Sequence, residues 1–202
     1  MTGHHMGEKI VLASNNAGKV GEINQLLASQ QITVVAQKEF EIPDAVEDGL
    51  SFVENAIKKA RHAARLSGLP AIADDSGIEV DALHGAPGIY SARFAGEGAS
   101  DQANLEKLLA ELSEVPEDQR SARFQCLMVY MRHAEDPTPI ICQGTWEGSI
   151  LFEPRGDNGF GYDPVFYVPT HRCSSAELPA EVKNSLSHRG QALRKLLEEL
   201  SK

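Results

Sequence analysis

Long apolar runs are missing from this chain. Stretches such as Cys126 to Met131 fall far short of the roughly 20 residues needed to cross a bilayer, and no signal peptide is evident, so neither a membrane partner nor export is expected. Cysteine is scarce as well. Cys126, Cys142 and Cys173 are odd in number, widely spaced and without a Cys-x-x-Cys, which reads as reduced thiols in a cytoplasmic protein. Positive charge is also in short supply. With 19 Lys and Arg against 29 Asp and Glu, the net charge is −10, and a protein that binds a nucleic acid polymer would carry a basic face. A small anionic ligand stays open if cations gather locally. Internal repeats, low-complexity tracts and linkers are absent too. The segment Met1 to Met6, with His4 and His5, reads as an expression remnant with the natural start at Met6. Residues 1–8 are therefore set aside, and 9–202 are expected to form one domain.

What is present centres on Leu69-Pro70-Ala71-Ile72-Ala73-Asp74-Asp75-Ser76-Gly77. A short apolar run between turn residues predicts a buried strand. The charges that follow need a cation, a donor or water to meet them. Ligands of open α/β sheets bind beyond the carboxyl ends of strands, so Asp74-Asp75-Ser76-Gly77 is expected at a strand end as a candidate site for a metal and a phosphate. Neighbouring strand residues face opposite ways, which predicts different tasks for Asp74 and Asp75. The alternative is that both cap a turn or a following helix.

Three further segments carry chemistry. Lys9 to Ala13 predicts a first strand, and Ser14-Asn15-Asn16-Ala17-Gly18-Lys19 leads from it into a helix with Val20, Ile23, Leu26 and Leu27 on one stripe. Helix-start amides and a lysine suit a phosphate. The spacing is not that of a Walker A loop, and an ordinary strand–helix turn is the competing interpretation. Asn158-Gly159-Phe160-Gly161-Tyr162-Asp163-Pro164 interrupts a strand-rich region. Its glycines suit a loop that approaches a ligand closely, and a flat base could stack on Phe160 or Tyr162, worth about 1–3 kcal/mol per base. Lys183 and Ser187-His188-Arg189-Gly190 fall within a mostly helical C-terminal stretch, where a His-Arg pair is otherwise a surface feature.

Between these, Ile32 to Ala36 predicts a second strand. Ser51 with Glu54 fits a capping box for a helix running to about Ser67, with Gly68 as its stop. Asp101 to Leu112 predicts an amphipathic helix, and Ala122 to Arg132 with Ile140 to Trp146 a hairpin across Asp136-Pro137. Early alternation of strands and helices, then longer strands, predicts an α/β fold: a mixed β-sheet flanked by helices, in two lobes with a cleft between them.

Taken in order, Ser14 to Lys19, Phe52-Val53-Glu54-Asn55-Ala56, Asp74 to Gly77, Gly85-Ala86-Pro87-Gly88, Phe160 to Pro164 and Ser187 to Gly190 closely resemble the inosine/xanthosine triphosphate pyrophosphatase family. The resemblance covers the chain from Lys9 onward and is weakest between Thr170 and Leu178. It implies an elongated, two-lobed single domain with the active-site cleft between the lobes, a homodimer, and hydrolysis of a deaminated purine nucleoside triphosphate (ITP, dITP, XTP) to monophosphate and pyrophosphate with Mg²⁺. It also implies roles. Ser14, Asn15, Asn16, Ala17, Gly18 and Lys19 would cradle the triphosphate, with Lys59 beside it. Asp75 would be proton acceptor and metal ligand, Glu47 a second metal ligand, Asp74 a support, and Ser76 a substrate contact. Phe160, Gly161, Tyr162, Asp163, Lys183, His188 and Arg189 would bind the nucleotide, chiefly around the base.

The physics is compatible. Lys19, Lys59, Lys183 and Arg189 can oppose the global negative charge. Mg²⁺ takes a few carboxylates plus phosphate oxygens and waters. Hypoxanthine and xanthine present an acceptor at O6 where adenine presents a donor. A donor fixed there by His188, Arg189 or the backbone discriminates by up to about 10⁴-fold or more. Rejection of guanine needs a separate device at its 2-amino group. Competing assignments are a Maf-like pyrophosphatase, which the Phe-Gly-Tyr-Asp and Ser-His-Arg-Gly motifs disfavour, and a nucleotide-binding regulator without catalysis.

Overall fold

The computed structural model describes residues 9–27 and 32–202; the expected tag remnant lies outside them. Seven strands form one mixed sheet: β1 (Lys9–Leu12), β2 (Thr33–Ala36), β3 (Ala71–Val80), β4 (Ser121–Met131), β5 (Ile140–Ile150), β6 (Phe166–Val168) and β7 (Cys173–Ser174). Their order is β2-β1-β3-β4-β5-β6-β7. β1 runs parallel to β2, with Ile10 opposite Val34, and parallel to β3, with Val11 opposite Ala71. β6 is antiparallel to both β5 and β7. Five helices accompany the sheet: α1 (Ala17–Leu27), α2 (Phe52–Ser67), α3 (Asp101–Glu111), α4 (Ala180–Leu186) and α5 (His188–Leu200). The α/β class and the mixed, helix-flanked sheet are as the sequence predicts.

Local rules explain most boundaries. The Ser51 side chain accepts from Glu54 N at the start of α2 while the Glu54 carboxylate takes Leu50 N and the Ser51 hydroxyl. Gly68, at φ 70°, closes the same helix with its amide on the Ala64 carbonyl. At the hairpin turn, the Asp136 carboxylate collects Arg132 N, Arg132 Nε and Thr138 N.

The chain packs as two units. One comprises the residues up to Asp75, Cys126–Gly144 and Arg189–Lys202; the other comprises Ser76–Gln125 and Thr145–His188. The first has two apolar layers, one per sheet face. Ile72 of β3 packs with Ile23 and Leu27 of α1 and Leu193 and Leu196 of α5. Ala71 and Ala73 pack instead with Ala56, Ala60, Ala63 and Ala64 of α2. This alternation follows from the two-residue period of a strand, and the alanines let helix and sheet approach closely. Cys126 and Met128 belong to this core, as expected of them. Burial pushes the Cys126 thiol up to about 12. The second unit is built on Ile78, Val80, Leu105, Leu108, Phe124, Trp146, Phe166 and their neighbours.

Two expectations are corrected. Asp74-Asp75-Ser76-Gly77 does not end a strand, because β3 continues through it to Val80. Gly77 is extended here rather than turned, and Ile78 resumes the buried alternation. The C-terminal helical stretch is divided: α4 stops where Ser187 N caps on the Lys183 carbonyl, and α5 begins at His188. The segment where the resemblance is weakest forms β7 and a tight capping-box turn between Ser174 and Glu177.

Candidate active site

The first unit assembles a cluster of charges around β3. Asp74 points to the α1/α5 face and is fully buried. Its Oδ2 lies 3.2 Å from Lys19 Nζ and 3.3 Å from both Nε and Nη2 of Arg189. Arg189 in turn pairs through Nη1 with Glu22 of α1. Burial alone would raise the Asp74 carboxyl, but Lys19, Arg189 and Lys59 outweigh it and hold the group well below the carboxylate range. Arg189 is shifted further up, since Asp74 and Glu22 overcome the cost of its burial.

Asp75 faces the other way, toward α2, and is 7% exposed. Burial pushes its carboxyl up; Lys59 and Lys19 oppose this, and Glu47 and Asp74 add to it. Lys59 of α2 donates to the Asp74 carbonyl at 2.7 Å and sits 3.6 Å from Glu47. Burial opposes its charge, yet Asp74, Glu47 and Asp75 raise its affinity for the proton. Adjacent aspartates on one strand thus have opposite characters, one locked as an anion and one with a strengthened hold on a proton.

The loop from β1 to α1 is held by its own side chains. Ser14 Oγ accepts from Asn16 N, and Asn16 Oδ1 accepts from Lys19 N as the helix cap. Asn15 Nδ2 donates to Asp44, which also takes Gln37. Ser14, Asn15 and Asn16 therefore spend polar atoms shaping the loop, while the first amides of α1, at Ala17 and Gly18, have no intrahelical partner and face the anion-attracting end of the helix dipole.

Lys19, Lys59 and Arg189 face Glu22, Glu47, Asp74 and Asp75 in this unit. Three cations against four carboxylates leave a slight negative excess, which would repel a polyphosphate that came without cations of its own. Asp74 Oδ1 is buried without a hydrogen-bond partner. Among the described residues no three His, Cys, Asp or Glu side chains cluster closely enough to cage a metal. One or two carboxylates with room for phosphate oxygens is the donor set Mg²⁺ uses, in contrast to a dedicated protein cage. Glu47, 36% exposed, and Asp75 fit that pattern.

The second unit holds the glycine-flanked loop. Asp163, 2% exposed, accepts Lys183 Nζ at 2.6 Å and Phe160 N at 2.9 Å on Oδ2, and the Ser175 hydroxyl at 2.9 Å on Oδ1. Lys183 Nζ lies 5.0 Å from the centre of the half-buried Phe160 ring. Gly159 has no alternative: at φ +76°, a Cβ there would stand 2.1 Å from Asp163 Oδ2. His188 stacks on Phe124, with centroids 4.7 Å apart and planes at 11°, and more distantly on Trp146. Ser76 follows Asp75 in β3 and is half-buried.

Several expected contacts are redrawn by these positions. Tyr162 is a core residue whose hydroxyl donates to the Ser91 carbonyl at 2.6 Å, so Phe160 is the ring available for stacking. The Asp163 carboxylate is engaged internally. Arg189 is bound by two carboxylates, Asp74 and Glu22. Glu22, Asp101 and Ser175 were not singled out by motif. Glu22 alone had a local signal, standing one helical turn after Lys19.

The first unit thus sets a helix start beside paired aspartates, and the second holds a lysine-backed aromatic loop, each on the same α/β sheet. The chain belongs to the Ham1 family, whose model it matches over residues 10–199. It is 63% identical over 191 residues to a dITP/XTP pyrophosphatase of Vibrio cholerae, covering 95% of this chain and 96% of that one. Over 193 residues it is 60% identical to the Escherichia coli O157:H7 protein of the same name, covering 96% and 98%. A HAM1 protein structure from Coxiella burnetii superposes with TM-score 0.89 at 51% identity, covering 96% and 98% of the two chains. The Staphylococcus aureus Ham1 protein gives 0.84 at 42%, with the same coverage.

Proposed function

We propose that this chain hydrolyses deaminated purine nucleoside triphosphates, ITP, dITP and XTP, to the monophosphate and pyrophosphate, and so removes them from the nucleotide pool. The observation that carries the mechanism is the division of labour on β3. Asp74 is pinned as an anion by Lys19 and Arg189, while burial and neighbouring carboxylates raise the proton affinity of Asp75. The relatives named dITP/XTP pyrophosphatase support the substrate class.

The first-turn amides of α1 and Lys19 bind the phosphates. Lys59 holds charge beside them and fixes the Asp74 main chain. Asp75 accepts the proton of the attacking water at its carboxylate, a task for which a raised affinity is an advantage. Glu47 and Asp75 would hold Mg²⁺, with Asp74 as support; when bound, Mg²⁺ supplies neutralisation of phosphate charge and acidification of the water. Ser76 contacts substrate. In the second unit the base stacks on Phe160, with Gly161 allowing close approach, and a donor from Lys183 or His188 meets O6. Adenine would place its amino group against that donor.

The protein acts as a homodimer in the cytoplasm. Among the described residues no helix is long and apolar enough to cross a membrane. Sedimentation at micromolar concentration tests the dimer.

Pyrophosphate release from ITP, XTP, dITP, ATP, GTP and TTP with Mg²⁺, for the parent and Asp75→Asn, tests the activity. Fast release from the first three alone, abolished by Asp75→Asn at unchanged melting temperature, is the expected result. Release from a pyrimidine nucleotide alone would overturn the substrate class. A large loss of stability in Asp75→Asn would make the residue structural.

A further inference from the structure

We propose that Asp101, the first residue of α3, is a positioning residue for the base-binding loop. Its Oδ2 accepts Gly161 N at 2.8 Å, while Asp163 Oδ2 accepts the preceding amide, Phe160 N, at 2.9 Å. Two carboxylates sixty-two residues apart in sequence thus grip consecutive peptide groups on either side of the Phe160 side chain. A ring fixed by its flanking amides keeps one direction, and here that direction sets it over Lys183.

Asp101 is free for this task because α3 is already capped. Ser100 Oγ accepts from Ala103 N, so the helix does not need the Asp101 carboxylate for its own first turn. The position also favours the charge, which lies at the positive end of the α3 dipole.

The loop needs such ties at Phe160 because apolar packing holds it at Tyr162 but not on the side facing α3. A cavity of about 360 Å³ separates α3 from the loop, lined by Asp101, Gln102 and Leu105 on one side and by Pro154, Asn158 and Phe160 among others on the other. Most residues from Glu153 to Gly159 are exposed. Where packing is this sparse, a few charged hydrogen bonds set the geometry.

This inference rests on the assignment of Phe160 to the base, and the experiment separates the two. Asp101→Ala, Asp101→Asn and Phe160→Ala are compared with the parent for KM and kcat on ITP and for melting temperature. Asp101→Ala is expected to raise KM about three- to tenfold, the size of one ordinary hydrogen bond, with kcat within about twofold and melting temperature nearly unchanged. Asp101→Asn, which keeps an acceptor oxygen, should recover most of the loss. A normal KM in Asp101→Ala alongside a raised KM in Phe160→Ala would overturn the role of Asp101 and leave the base site standing. A fall in kcat and melting temperature that asparagine does not rescue would make Asp101 merely structural. A normal KM in Phe160→Ala would remove the base site and this inference with it.

Discussion

Replacing Arg189 by methionine tests whether this residue reads the base or neutralises Asp74. The side chains of Arg189 and Asp74 are 3% and 0% exposed, and Glu22 is 12% exposed. Removing one member of a buried ion pair costs about 3–5 kcal/mol, because the remaining charge is left uncompensated. Asp74 keeps Lys19 at 3.2 Å, and methionine refills part of the volume, so about 3 kcal/mol is the appropriate end of that range. For a chain of this size, each kcal/mol shifts the melting temperature by about 2–4 °C, giving a fall of about 6–12 °C. Thermal unfolding at pH 7 measures it directly. The double variant Arg189→Met, Glu22→Gln removes the stranded Glu22 charge while Asp74 keeps Lys19, and should recover part of the loss, a non-additivity expected only of side chains that interact. ITP-over-ATP selectivity should change little in Arg189→Met relative to the loss of stability. A melting temperature within about 2 °C of the parent, together with lost selectivity, would refute this account and return Arg189 to the base.

Two other perturbations follow from the same geometry. Gly159→Ala drives a methyl group onto Asp163 Oδ2, whereas Gly161→Ala, at φ +61°, meets nothing within 4 Å. Both carry about 1 kcal/mol of left-handed backbone strain, so the excess fall in melting temperature of Gly159→Ala over Gly161→Ala isolates the displacement of Asp163 and Lys183. Acid unfolding should report Asp136, whose carboxyl Arg132 and two main-chain amides hold well below the ordinary range despite burial, and Asp81, lowered to about 2 by Arg123 and Ser121. Because both folded values are depressed, their stabilisation is complete above about pH 4, the ordinary aspartate value, and is lost as pH falls below it. Urea titrations at pH 7 and pH 3 should therefore show Asp136→Asn destabilised at both, by less at the second; a constant difference would count against the pairing.

The features readable in advance were those carried by near neighbours. The Ser51–Glu54 box and Gly68 announce α2 because every partner lies within a few residues. The opposite facings of Asp74 and Asp75 follow from strand periodicity alone. Placing them at a strand end failed because Ser76-Gly77 resembles a turn, while Ile78 and Val80 find a buried apolar core and pull the chain on as a strand. The ion pairs of Arg189 were not legible for a different reason. Its partners, Glu22 and Asp74, lie 167 and 115 residues away, and nothing near Arg189 announces either. Tyr162 likewise looks available for stacking beside Gly161 until Ser91 provides a partner for its hydroxyl.

The parity of β3 sets a rule about length. Residues 71 to 75 alternate between two layers, with Ala71 and Ala73 against α2 and Ile72 and Asp74 against α1 and α5. Exchanging one small apolar residue for another alters volume but preserves which aspartate faces which layer. Deleting or inserting a single residue ahead of Asp74 would invert the assignment, turning Asp74 toward α2 and Asp75 toward Lys19 and Arg189. Variation in this stretch should therefore be nearly free in composition among small apolar residues yet closed to odd changes in count.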